Sequence, residues 1–363
     1  MTQLRHSEPV TMREAGKAFL YELLETPGPS GYEQPVQARV RSYAAAFADS
    51  VVTDVHGNVV VGVNDGGAPR VMLAGHGDQI GFMVQHIDDD GFISFSGIGG
   101  HDATVLIGQR VRVWTQGGSV QGVIARKAIH LLSAEERAKV SEIHTLWIDI
   151  GAKDGDEARA RTQVGDPVTF ELGVTDLLDD NIASPGTDNR VGVWVAMEAA
   201  RRVAEADAQA AVFAVSTVQE EIGTRGAQTA AYAVRPDVGI AVDVNHATDV
   251  PGADAKRYGD VKLGSGPVVV RGPNINPRVF DLVVAAADAE AMPVQIVAHP
   301  GPTPTDARAL QVAREGVATG LIKIPNRYMH STVEVVNLRD VEQAAALLAA
   351  FIMSLTAESD FTP

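Results

Sequence analysis

Cysteine is absent from this 363-residue chain. Disulfides, thiolate metal sites and cysteine nucleophiles are thereby excluded, and any bound metal has to rest on His, Asp or Glu. Positive charge is scarce as well: 30 Lys and Arg stand against 46 Asp and Glu, a formal net charge of −16. Nucleic-acid binding needs a basic footprint, so no nucleic-acid partner is expected. The acidic surface favours solubility and attracts cationic groups. No run approaches the ~18 consecutive apolar residues that mark a membrane span, and no membrane association is expected. The N-terminal MTQLRHSEPV has no apolar h-region, which argues against a secretory signal and for a cytoplasmic location. HExxH, GxSxG and Walker A patterns are also missing, so their machineries are set aside.

What is present reads as two textures. The length gives a prior of two domains. From Met12 to about Ala48 two helical patterns flank TPGPSGYE, and DSVVTDVHGNVVVGV reads as a hairpin turning at His56-Gly57-Asn58. RVMLAG is a short apolar run suited to a strand buried on both faces. Between about Gly81 and Val174 short β-rich pieces dominate, among them GFMVQHI, QRVRVWT and GDPVTFEL. Beyond about Asp179, strands and helices alternate again. This alternation implies a three-layer αβα sandwich, with the small β-rich part inserted into it. The boundaries expected are 1–80 and 179–363 for the α/β domain and 81–178 for the insert.

The polar residues gather at strand ends. His76 and Asp78 follow VMLAG, Glu220 and Glu221 follow AVFAVSTVQ, Asp243 follows VGIAV, and His330 follows GLIKIPNRYM, while Asp188 lies in the turn before the helical NRVGVW. Taken singly, each has a plainer explanation. A histidine there is often a surface or core residue, Asp188 suits a helix N-cap, and adjacent glutamates are often a solvated patch. Open α/β sheets, however, bind ligands beyond the carboxyl ends of their strands. Two imidazoles and several carboxylates without a thiolate match the needs of two divalent cations about 3.5–4 Å apart. Such cations would also relieve the repulsion within TVQEEIG, where one glutamate can hold a metal and its neighbour act as a base. The N/O donor set suits zinc first, and is compatible with cobalt or manganese.

With these residues collected, the chain resembles the glutamyl and tetrahedral aminopeptidase family of dinuclear metallopeptidases. The resemblance runs nearly end to end, through LLETPGPSGYE, AGHGDQIGFMV, TDNRVGVWVAMEAA, VQEEIGTRGA, DVNHATDVPG, PTDARALQ and IPNRYMHS. It implies that Asp188 bridges two metal ions, that His76 and Asp243 complete one site, and that Glu221 and His330 complete the other. Glu220 would be the general base, and Asp78 would orient His76. The family's β-rich, PDZ-like insert is a dimerisation domain, so self-association into dimers and a dodecamer is implied. Peptide substrates would be cut at the N-terminal peptide bond by a metal-bridging water. Gly77 and Gln79 depart from the family's more usual Met and Glu, and Thr332 stands where Pro is usual.

Smaller expectations attach to other residues. Asp306, Arg327 and Tyr328 are candidates for the substrate pocket, although Asp306 also suits a helix cap. His246 is either a neighbour of the centre or a loop residue, and His130 reads as structural or interfacial. Trp114, Trp147 and Trp194 sit in apolar patterns that suit a core or interface. Two rival functions remain. One is a related metallohydrolase acting on N-acyl amino acids or C-terminal residues, in which the first His and the bridging Asp are usually close and the extra domain enters later. The other is a non-catalytic assembly protein that retains the fold, which would have no physical need for both glutamates. A cellulase activity finds no support, because the carboxylates are better explained as metal ligands than as a glycosidase pair.

Overall fold

A computed structural model describes residues 12–363; the N-terminal MTQLRHSEPV lies outside them. Seventeen strands form two sheets. Strands β1 (Ser50–Thr53), β2 (Val59–Val63) and β3 (Arg70–His76) come first. They are followed by β4 (Gly81–Ile87), β5 (Ile93–Ile98), β6 (Arg110–Thr115), β7 (Gly118–Ala125), β8 (Trp147–Asp149) and β9 (Pro167–Phe170). The chain returns through β10 (Thr175–Asp176), β11 (Asn181–Ala183), β12 (Ala211–Thr217), β13 (Val238–His246), β14 (Val268–Arg271), β15 (Gln295–Ala298), β16 (Ala318–Arg327) and β17 (Val335–Asn337). The helices are α1 (Glu14–Glu25), α2 (Gln34–Ala44), α3 (Ala134–Ala138), α4 (Gly155–Arg161), α5 (Thr187–Ala204), α6 (Arg225–Val234), α7 (Ala255–Tyr258), α8 (Pro277–Ala289), α9 (Asp306–Gln311) and α10 (Leu338–Met353). None of the described helices is long and apolar enough to cross a membrane.

The large sheet has 11 strands, in the order β1-β2-β12-β3-β13-β16-β17-β11-β10, with β14 joined to β16 and β15 to β14. Its centre is parallel: β12, β3, β13 and β16 run alongside one another. Strands sandwiched between helices lose the alternation of a half-buried strand and become continuously apolar. AVFAVST in β12 is buried at every position, and β13 is buried from Val238 to Val244. Helix α5 packs on β3, β12 and β13 with α1 and α10 against it, while α6 and α9 pack together on the sheet. This architecture is the expected αβα sandwich.

Strand β3 and helix α5 approach unusually closely, and two glycines make that possible. A Cβ on Gly75 would lie 2.4 Å from the carbonyl carbon of Gly192, well inside van der Waals contact. The two backbones therefore meet with no side chain between them. His76 and Asp188 stand one and four residues from this contact.

Strands β4 to β9 close into a six-stranded barrel, in the order β4-β5-β8-β7-β6-β9. It has its own apolar core around Phe82, with Phe95 and Phe170 edge-on to that ring at centroid distances of 5.1 and 5.3 Å. Such perpendicular pairs suit the ring quadrupoles. The barrel lies between β3 and β10, as a small β-rich insert requires. Its strands end at Phe170, and β10, placed in the insert by the expected boundary at 178, already pairs with β11 in the large sheet. With two residues, both exposed, it is too short to carry a pattern that sets it apart from the barrel strands. Trp194 is fully buried in α5, donating its Nε1 to the Gly16 carbonyl at 2.7 Å, whereas Trp114 and Trp147 are half-buried in the barrel and His130 is exposed there.

Candidate metal centre

The carboxyl ends of the parallel strands bring together residues distant in sequence. His76 is the last residue of β3, and Asp243 lies on β13, the strand beside it. Glu220 and Glu221 occupy the loop after β12, and His330 the loop after β16. Asp188 enters at the start of α5, where it and Asn189 have non-helical backbone angles. The capping role expected of Asp188 is filled by its neighbour: Asn189 Oδ1 accepts the Gly192 N–H at 3.0 Å. An N-cap carboxylate is committed to its own helix. Asp188 is free of that duty.

Asp188 stands between the two imidazoles. Its Oδ1 is 3.3 Å from His76 Nε2 and its Oδ2 is 3.4 Å from His330 Nε2. Two groups of donors can each converge on one ion, with ligand atoms within 4.8 Å of one another. One comprises His76, Asp188 and Asp243; the other comprises Asp188, Glu221 and His330. Asp188 is common to both. Glu220 belongs to neither, although its Oε2 lies 3.8 Å from His76 Nε2.

The electrostatics show a cluster short of positive charge. Burial, reinforced by Asp188, pushes Asp243 up to about 6. Burial raises Glu221 too, and lifts Glu220 to about 10. Hydrogen bonds to Asp188 and Glu221 raise His330 to about 11. Burial opposes a proton on His76, yet Glu220, Asp188 and Asp78 together raise it well above its usual value. Carboxylates that resist ionisation and imidazoles that cling to protons are the two signs of one deficit. Glu221 Oε1 is buried without a hydrogen-bond partner, a cost expected only where something else meets it. Divalent cations fit this donor set: they supply the charge and a partner for the orphaned oxygen.

A second layer fixes the first. Asp78 Oδ1 accepts the Glu220 N–H at 3.0 Å, Oδ2 accepts the Glu221 N–H at 3.1 Å, and Ser30 Oγ donates to Oδ2. Asp78 Oδ1 also lies 3.5 Å from His76 Nδ1, so it serves the glutamate loop at least as much as the imidazole. Glu33 Oε1 accepts the Gln219 N–H at 3.0 Å and extends the same support. His330 Nδ1 meets the carbonyl oxygen of Gly100, in the loop after β5, at 3.0 Å; the barrel therefore takes part in orienting this ring. Glu334 is fully buried. One of its oxygens accepts from Thr187 Oγ1 and from the Asp188 N–H, both at 3.0 Å, and the other accepts the His330 N–H at 2.8 Å.

Sequence reasoning passed over Glu33 and Glu334. The available signal was a carboxylate four residues beyond His330, which is indistinguishable from a surface residue until the chain is folded. Gln79 Oε1 accepts from the buried Arg190 Nη2 at 2.7 Å. Gly77 would place a Cβ 2.7 Å from Ser216 Oγ.

The centre opens into a cleft of about 680 Å³. Of the three residues expected to line a substrate pocket, none does. Asp306 is buried at the start of α9, where Thr217 Oγ1 donates to it at 2.6 Å. It does not cap that helix either: Thr305 accepts from Ala307 N instead. Arg327 is held by Asp249 at 2.9 and 2.6 Å, and Tyr328 projects to solvent outside the cleft. Met329, His330 and His246 do face it.

A parallel sheet with two His–carboxylate donor groups sharing one aspartate, and a barrel contributing to the same centre, fits a metal-dependent hydrolase. Comparison with known proteins sharpens this. The sequence model of the M42 glutamyl aminopeptidases matches residues 57–347. A lysyl aminopeptidase of Pyrococcus furiosus is 39% identical over 348 residues, covering 95% of this chain and 99% of that protein. A TET aminopeptidase from a marine sediment Thaumarchaeota archaeon superposes with a TM-score of 0.90 at 36% identity, covering 94% of this chain and 97% of the other. The Pyrococcus horikoshii TET1 peptidase, described as able to assemble into a tetrahedron or a large octahedral shell, has a TM-score of 0.84 at 30% identity, covering 94% and 100%. This chain belongs to the M42 glutamyl aminopeptidase family, and is a metallo-aminopeptidase.

Proposed function

We propose that the protein removes N-terminal residues from peptides at a dinuclear metal centre, with Glu220 as the general base. The observation that carries this reading is that Asp188 is shared by two donor groups while Glu220 stands beside them and belongs to neither. His76, Asp188 and Asp243 would hold one divalent ion, and Asp188, Glu221 and His330 the other, with zinc the first choice and cobalt or manganese compatible. When bound, such ions supply Lewis acidity toward a scissile carbonyl and a water molecule.

The chain's own residues do the rest. Glu220 takes a proton from the attacking water as the oxygen–carbon bond forms. It then returns that proton to the departing nitrogen as the carbon–nitrogen bond breaks. Asp78 keeps Glu220 in place by holding its backbone N–H. Self-association through the barrel, with dimers building a dodecamer, belongs to the same reading; Ile129, Leu131 and Val140 are exposed apolar residues there. So does a cytoplasmic location.

Two measurements test the proposal. Free aminoacyl anilides should be cleaved and N-acylated amino acids should not; the reverse pattern would favour the related metallohydrolase. Glu220→Gln should retain metal by elemental analysis and lose turnover by about 10²-fold or more. A variant that keeps normal peptidase rates would remove Glu220 from its role.

A further inference from the structure

The loop after β5 runs against two donors of the second metal group, Glu221 and His330. A Cβ on Gly99 would stand 3.4 Å from Glu221 Cβ, and one on Gly100 would stand 3.4 Å from His330 Nδ1. The Gly100 carbonyl oxygen meets that nitrogen at 3.0 Å. A carbonyl only accepts, so Nδ1 carries a proton and Nε2 is the nitrogen left for an ion. Nε2 is also the atom that faces Asp188 and Glu221, at 3.4 and 3.5 Å.

Two glycines in succession cannot aim that carbonyl by themselves. Gly99 lies in the left-handed region at φ +81°, and glycine backbone turns more freely than any other. The next residue supplies the constraint. The Gly100 carbonyl and the His101 N–H belong to one planar peptide unit. Anchoring His101 therefore fixes the plane in which the carbonyl points.

His101 is anchored in two ways. Its ring stacks on Phe82 at a centroid distance of 4.3 Å and stands edge-on to Phe170 at 6.2 Å. Both phenylalanines belong to the barrel core. Its Nε2 lies 2.7 Å from the carbonyl oxygen of Gly81 and 3.2 Å from that of Ile98. Both partners are acceptors, so Nε2 carries the proton, and one N–H is shared by the first residue of β4 and the last of β5. Burial holds the imidazole below its usual pKa and favours this neutral form. Nδ1 is buried without a partner. The polar role of the ring is thus that single N–H.

We infer that His101 is a positioning residue for the metal centre. The barrel core holds its ring, the ring holds the Gly100 peptide, and that peptide presents His330 Nε2 to the second donor group. The inference rests on the dinuclear reading above, and adds to it a residue that lies outside both donor groups and outside the cleft lining. A metal-ligating imidazole depends on the acceptor of its other nitrogen for tautomer and orientation. Here that acceptor is itself held by a second imidazole.

The test is a calorimetric titration of chelator-treated protein with cobalt, followed in parallel by the visible absorption of the bound ions. His101→Phe keeps an aromatic ring on Phe82 and removes the N–H. It should bind the first equivalent as wild type does and the second about tenfold more weakly, with the absorption of the second equivalent altered. His101→Gln returns an N–H donor and should recover most of the second affinity. If His101→Phe shows no cooperative urea transition, His101→Met removes the same N–H with a flexible side chain and carries the same prediction. A ring that only packs would give the reverse order, with His101→Phe near wild type and His101→Gln impaired. That order overturns the inference, as do unchanged affinities in every variant or an equal loss of both equivalents; each leaves the dinuclear reading standing. A wild type that takes up a single equivalent overturns that reading and the inference with it.

Discussion

Glu334 accepts the backbone N–H of His330 at 2.8 Å with one oxygen and that of Asp188 at 3.0 Å with the other. One buried carboxylate thus ties the loop after β16 to the start of α5, the two segments that carry the shared aspartate and the second imidazole. Substituting Glu334→Gln replaces one acceptor by an NH₂ group that faces an N–H donor. Outer partners of metal ligands are worth about 10–100-fold in metal affinity. The variant should bind the second equivalent of zinc or cobalt about 10–100-fold more weakly in a calorimetric titration, with the first equivalent less affected. Equal and undiminished affinity for both ions would show that Glu334 only fills space.

Replacement of Gly75 by Ala drives a methyl group into the Gly192 backbone. Strand β3 and helix α5 then have to separate, at an overpacking cost of about 1–3 kcal/mol. The separation also pulls His76 away from Asp188, now 3.3 Å apart. Gly75→Ala should lower the urea midpoint and weaken metal binding together. A variant that loses stability while retaining full metal affinity would mean that the close approach serves packing alone.

Asp249 makes the stability of the fold depend on pH. Burial opposes its ionisation, but the hydrogen bonds from Arg327 and from the Leu263 N–H outweigh that and hold its carboxyl below the usual range. A carboxyl depressed in the folded state binds fewer protons there than in the unfolded chain, which titrates near about 3.9. Its stabilisation is therefore present above that value and is lost as pH falls through the folded value. Chelator-treated wild type should lose stability below about pH 4 more steeply than chelator-treated Asp249→Asn, as read by urea unfolding at a series of pH values. Parallel curves would remove this pair from the account of acid sensitivity.

The layered fold was legible because burial on both faces writes itself into β12 and β13 as unbroken apolar runs, and because the insert changes the texture of the chain. The clustering of His76, Asp188, Glu221, Asp243 and His330 was legible from their common position at strand ends. Their supporting contacts were not. Asn189 takes the cap that Asp188 was equally suited to take, and Thr305 takes the cap that suited Asp306; adjacent polar residues compete for one role, and only the backbone path decides. Glu334 sits among apolar neighbours with no local pattern to mark it.

The carbonyl of Gly100 that meets His330 Nδ1 at 3.0 Å belongs to the inserted barrel, while every donor of the two metal groups belongs to the host α/β part of the chain. Deleting the barrel would leave the donor inventory intact and strip one imidazole of the acceptor that selects its tautomer. The insert is thus no removable appendage: any force that shifts the loop after β5 reaches the second imidazole through a single hydrogen bond.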